Sequence, residues 1–153
     1  LDIRLVIEMI LWGGNQHGIL DRFLRGLRNI HDYQRLIAHV VDNLDDPRRA
    51  FDAALAFLGF GLTYASKLLR FCRPSTYGAL DSRIRNTFGE IPPIDDTDPQ
   101  SMWNGYFAFL NLIHERQQLL EEHGIERPAY DSRPASQCWR ASEIEMALFF
   151  RAS

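Results

Sequence analysis

The chain has 153 residues, of which 46% are hydrophobic, 12% aromatic and 24% charged. That is enough apolar material for one core, too little length for two ordinary domains, and too apolar for a disordered chain. Two cysteines, Cys72 and Cys138, and five histidines without metal-ligand spacing exclude a disulfide-dense secreted scaffold and the common zinc frameworks. The formal net charge of −3, taken alone, speaks against nucleic acid.

The periodicity is helical almost throughout. Leu5, Met9 and Leu11 belong to a mostly buried first helix that stops at the run Trp12-Gly13-Gly14-Asn15-Gln16-His17-Gly18. This opening carries Asp2, Arg4 and Glu8 and leads into a Gly-rich turn, so it does not read as a signal peptide. No apolar run reaches the length of a membrane span. A reduced, cytoplasmic protein with no membrane partner is the expectation, and Leu1 in place of Met leaves the completeness of the N-terminus open.

A second helix is predicted from about Leu20 to Arg28, and a third from about Tyr33 to Leu44 with Leu36, Val40 and Leu44 on one side. Asp46-Pro47 is a start signal, an N-cap acid followed by a proline whose missing N–H costs nothing at the first helical position. That helix carries Phe51, Leu55 and Leu58 and is expected to end at Gly59. A further helix runs from Leu62 to about Cys72, where Pro74 breaks it. A loop then leads to Asp81, which caps a short helix through Thr87, and the proline-rich, acidic stretch from Gly89 to Asp98 reads as a connection. Asp98-Pro99 repeats the start signal for a long helix ending at His123-Gly124. Pro128 to Ser136 reads as a loop and Trp139 to Phe150 as the last helix. The whole is expected to be a compact all-α single domain over residues 1–153, and a monomer.

Charge is unevenly placed. The first 89 residues hold twelve basic and nine acidic side chains, and the remainder five basic and eleven acidic. Between Gly59 and Gly89, Lys67 (the only lysine), Arg70, Arg73, Arg83 and Arg85 stand against Asp81 alone. A local basic surface on an acidic protein suits an anionic polymer.

Two helices joined by Leu58-Gly59-Phe60-Gly61 make a helix-hairpin-helix candidate spanning about 47–72. Gly59 and Gly61 let the backbone turn and bare the N–H groups that open the next helix, a natural phosphate site. On that helix Leu62, Ala65, Leu68, Leu69 and Cys72 form an apolar face, while Thr63, Lys67 and Arg70 are spaced along the opposite one. The plain alternative is that the glycines only separate two helices and the cations are solvated.

The run Gly59-Phe60-Gly61-Leu62-Thr63-Tyr64-Ala65-Ser66-Lys67-Leu68-Leu69-Arg70, the loop Pro74 to Leu80 and the segment Leu80-Asp81-Ser82-Arg83-Ile84 together resemble the helix-hairpin-helix superfamily of base-excision DNA glycosylases. The likeness is strongest to its archaeal-type 8-oxoguanine branch. Trp139 to Phe149 is similar to the closing helix of those proteins. The strong part covers roughly residues 55 to 89. The resemblance implies a DNA glycosylase acting on double-stranded DNA with a modified base, without cofactor or metal. The base is either an oxidised purine, in repair, or a hypermodified phage base such as glucosylated hydroxymethylcytosine, in antiviral defence.

The resemblance also implies roles. Asp81, at the end of a catalytic loop of about 73–89, stabilises the oxocarbenium-like sugar as the base leaves and helps activate water. Members that also cleave the backbone carry a lysine where this chain has Thr63. Lys67 lies one turn later and is compatible with a nucleophile or with a phosphate contact. Gly59, Gly61, Thr63, Arg70, Arg73, Arg83 and Arg85 are the expected DNA contacts. Trp12, Asn15, Gln16 and Trp139, with His17, Trp103 and Phe150 as further candidates, are the residues considered for the pocket of a flipped base. An Asp that opens a helix is more often a cap than a catalyst, and the two roles are compatible. Two other functions remain open on sequence: a non-catalytic module that grips phosphates with the hairpin, and a helical domain whose basic patch meets an acidic protein.

Overall fold

Short polar side chains ahead of the helices set where they begin. The computed structural model describes residues 1–127 and 138–152. Asp2, Asn29, Asp46, Asp81 and Asp98 each stand at an N-cap, and the side chain of each accepts a backbone N–H of the first turn at 2.9–3.1 Å. The helices are α1 (Ile3–Trp12), α2 (Ile19–Gly26), α3 (Ile30–Asp42), α4 (Pro47–Leu55), α5 (Leu62–Cys72), α6 (Ser82–Thr87), α7 (Pro99–Glu122) and α8 (Ala141–Arg151). There is no strand among the described residues, and the fold is all-α. None of these helices is long and apolar enough to cross a membrane. The expected loop Pro128 to Ser136 lies outside the described residues.

α3 starts at Ile30, three residues before the expected Tyr33, because Asn29 caps it, and α2 stops at Gly26. α4 ends at Leu55 instead of continuing to Leu58, and residues 56–61 form tighter turns, with Phe57 N–H donating to Ala54 and Phe60 N–H to Phe57. Gly59 takes φ +90°, outside the helical region, and within these turns Phe57 and Phe60 both point inward, their rings 5.3 Å apart and 5.9 and 5.8 Å from Phe23. Leu58 is left exposed as a result.

α3 packs on α4, α4 on α5, and α7 on α8. Phe51 of α4 stacks on Tyr106 of α7 at 5.0 Å between centroids. The chain between α5 and α6 is pinned from three sides. The Tyr77 hydroxyl donates to the Leu44 carbonyl at 2.5 Å, the Tyr106 hydroxyl donates to that of Gly78 at 3.1 Å, and the buried Ser66 hydroxyl accepts the Leu80 N–H at 3.0 Å. Asp81 follows directly on this hydrogen-bonded segment.

Candidate functional site

α5 begins at Gly61, whose backbone is extended at φ −110° and which supplies no side-chain cap. A Cβ on Gly61 would meet nothing within 4 Å, so the start of α5 opens outward. Gly59 is different. Its φ is +90°, and a Cβ there would come within 2.7 Å of the Arg22 Cβ on α2. Gly59 is thus required by the close approach of α2 to the turn.

Lys67 lies six residues into α5, half-buried. Its Nζ stands 5.3 Å from the centroid of Tyr64 and 5.4 Å from that of Trp12, a pair of cation–π contacts. Trp12 is 71% exposed, so one wall of this slot is open to solvent. The backbone of Gly13 forms another wall, where a Cβ would sit 2.9 Å from Nζ, and the Tyr64 hydroxyl donates to the Gly13 carbonyl at 3.2 Å. Among the described residues Lys67 makes no ion pair. Burial pushes its amine below the ordinary lysine range, while the charges of Asp81 and then Glu145 act the other way.

Asp81 is half-buried and caps α6, its Oδ1 accepting the N–H groups of Arg83 and Ile84 at 2.9 and 3.1 Å. Both bonds go to the same oxygen, which leaves Oδ2 outside the cap. The charge of Asp81 raises the Lys67 amine, against the effect of burial.

The predicted cationic stripe is largely committed to partners within the protein. Arg70 Nε bonds Glu145 at 2.5 Å and is mostly buried, so it is not the solvated end of a stripe. Arg73 pairs with Asp45 at 2.5 Å and also donates to the Leu44 carbonyl. Arg85 forms a bidentate pair with Asp96 at 2.8–3.0 Å. The acidic connection after Glu90 therefore folds back on the basic segment, and the excess of positive charge counted there is offset locally. Arg83 is exposed, with its guanidinium 5.1 Å over the Phe149 ring of α8. Thr63 stands half-buried one turn before Lys67, and its carbonyl accepts the Ser66 hydroxyl.

The pocket candidates separate in the same way. Trp12 is at Lys67. Asn15, at φ 43°, uses its Oδ1 to accept the Leu20 N–H, a structural task for an amide considered for base contact. His17, at φ 56°, is also left-handed, and two non-glycine residues in that region give the Gly13–Gly18 turn a strained, defined shape. The side chain of Gln16 lies outside the described residues. Trp139 donates to the Ile125 carbonyl at 2.9 Å and joins the end of α7 to the start of α8, while Trp103 packs on Phe51 and beneath Arg48. Phe150 is 71% exposed at the end of α8, beside Phe149. Among the described residues no group of three or more His, Cys, Asp or Glu side chains is placed to hold a metal ion.

Three residues of this site were not singled out by sequence reasoning: Gly13, Tyr64 and Glu145. Glu145 alone had a usable signal. It lies on the stripe Ala141, Ile144, Glu145, Leu148, where the helical period calls for an apolar side chain. A cavity of about 390 Å³ lined by Tyr33, Ile37 and Val41 contains none of the predicted site residues. No protein-family model, curated protein or solved structure matches the chain.

Proposed function

We propose that the protein is a DNA glycosylase of helix-hairpin-helix type that hydrolyses the N-glycosidic bond of a modified base turned out of double-stranded DNA. The observation that supports this reading is the aromatic-flanked Lys67, without an ion pair among the described residues and acted on by the charge of Asp81, on the helix whose start opens outward at Gly61. In this scheme the C1′–N bond breaks with its electron pair leaving on the base, and Asp81 stabilises the positive charge that grows on the sugar. Water then adds at C1′ and loses a proton, so that an abasic site remains. The exposed Trp12 supplies a stacking face for the extruded base, and Gly61, Thr63 and Arg83 meet the backbone phosphates. Lys67 holds a phosphate or, where it attacks the opened sugar, adds a lyase step.

The test is base release from duplexes carrying 8-oxoguanine and from phage DNA carrying glucosylated hydroxymethylcytosine, scored as abasic sites. Asp81→Asn is expected to lower release by ~100-fold or more while binding persists. Full activity of Asp81→Ala would overturn the mechanism. Salt-sensitive binding with no release from any DNA would instead favour the non-catalytic module. Borohydride trapping of the wild type that vanishes in Lys67→Ala would assign the lyase role to Lys67.

A further inference from the structure

α8 brings a carboxylate to the site from the far end of the chain. The helix is seated on the loop that delivers Asp81, because the N–H groups of Ala141 and Ser142 donate to the carbonyls of Ser75 and Pro74 at 3.2 and 3.0 Å. The Arg83–Phe149 contact at 5.1 Å fastens it to α6 as well. Glu145 then points inward, with 11% of its side chain exposed, and meets Arg70, whose side chain is 20% exposed.

A buried ion pair can serve as a fastener, but well-packed apolar side chains fasten two helices equally well at lower desolvation cost. What an apolar pair cannot do is act on a neighbouring charge. Lys67 is the residue so placed, three positions before Arg70 on α5. Trp12 from α1 and Tyr64 on α5 flank it, and the charges of Asp81, ahead of α6, and Glu145, on α8, act on it. Glu145 in turn acts on Tyr106 of α7 and is held by Arg70. Burial pushes Glu145 above the ordinary carboxylate range, against the pull first of Arg70 and, more weakly, of Lys67.

We propose that Glu145 is a positioning residue of this site: Arg70 holds its carboxylate so that its negative charge acts on the Lys67 amine lodged between Trp12 and Tyr64 beside Asp81. The catalytic consequence rests on the glycosylase reading. The charge effect on Lys67 does not.

Because Lys67 is the only lysine, ¹³C reductive methylation of the whole protein gives one side-chain amine signal, distinct from that of the N-terminus, whose titration is read by NMR. Glu145→Gln is expected to lower the Lys67 midpoint by about one pH unit, and Glu145→Asp to restore most of it. Replacing the pair with apolar side chains, Arg70→Leu with Glu145→Met, removes a cation three positions from Lys67 together with the carboxylate, and is expected to lower the midpoint by less than Glu145→Gln does. On a DNA substrate the alkaline limb of base release moves with the amine. Identical titrations of wild type, Gln and Asp variants, or an alkaline limb that stays in place, would overturn the proposal. A shifted amine in a protein that releases no base from any DNA would sustain the charge role and count against the glycosylase reading.

Discussion

Asp81 caps α6, and a single substitution can separate that cap from the catalytic role proposed for it. Asparagine retains a side-chain oxygen that can accept the Arg83 and Ile84 N–H groups, so Asp81→Asn is expected to keep the stability of the wild type while losing base release. Alanine removes the cap as well and is expected to cost about 1 kcal/mol in denaturant unfolding. A residue that only caps would show the opposite pattern, with activity tracking stability. Trp12 makes the complementary case. It is 71% exposed, so Trp12→Ala is expected to leave thermal stability nearly unchanged. Loss of base release with unchanged melting would give Trp12 a function, since an exposed indole beside a lysine has little structural reason to be there. The Lys67 contact with Trp12 could not be read from the chain because the two residues belong to different helices.

At the scale of elements, the unit formed by α4, the 56–61 turns and α5 distinguishes its two glycines. Gly59→Ala puts a side chain at φ +90° and against Arg22, and is expected to destabilise the protein by roughly 1–3 kcal/mol. Gly61→Ala meets open space at an ordinary φ. Unfolding of this second variant is expected to match the wild type, and its DNA affinity to fall if the backbone there approaches a phosphate. The elements themselves were largely legible in sequence. Asp46-Pro47 and Asp98-Pro99 announced α4 and α7, Pro74 ended α5, and Asp81 opened α6, because caps and prolines act within a few residues. The end of α4 was not legible. It lies where the 56–61 turns seat Phe57 and Phe60 on Phe23, a contact across more than thirty positions that no local signal encodes.

Over the whole molecule, the loop that carries Asp81 is held by buried tyrosine hydroxyls. Tyr77→Phe leaves the Leu44 carbonyl with Arg73 as its remaining donor and removes the link between the α3–α4 connection and the loop ahead of Asp81. Its expected cost is about 1–2 kcal/mol in stability, with a fall in base release beyond what the lost stability explains.

The charge pattern shows where sequence and tertiary structure divide the work. Helix starts, the rupture at Pro74 and the single core follow from signals that each segment carries for itself, and the sequence determined them. The same sequence displayed a basic segment and an acidic half as separate facts. Folding brings Asp45 to Arg73, Asp96 to Arg85 and, across 75 positions, Glu145 to Arg70. Ion pairs of that separation depend on which helix faces pack together, and no local period encodes them. The tertiary structure therefore decided which cations are spent internally and left Lys67, between two rings and in reach of two carboxylates, as the charged centre of the site.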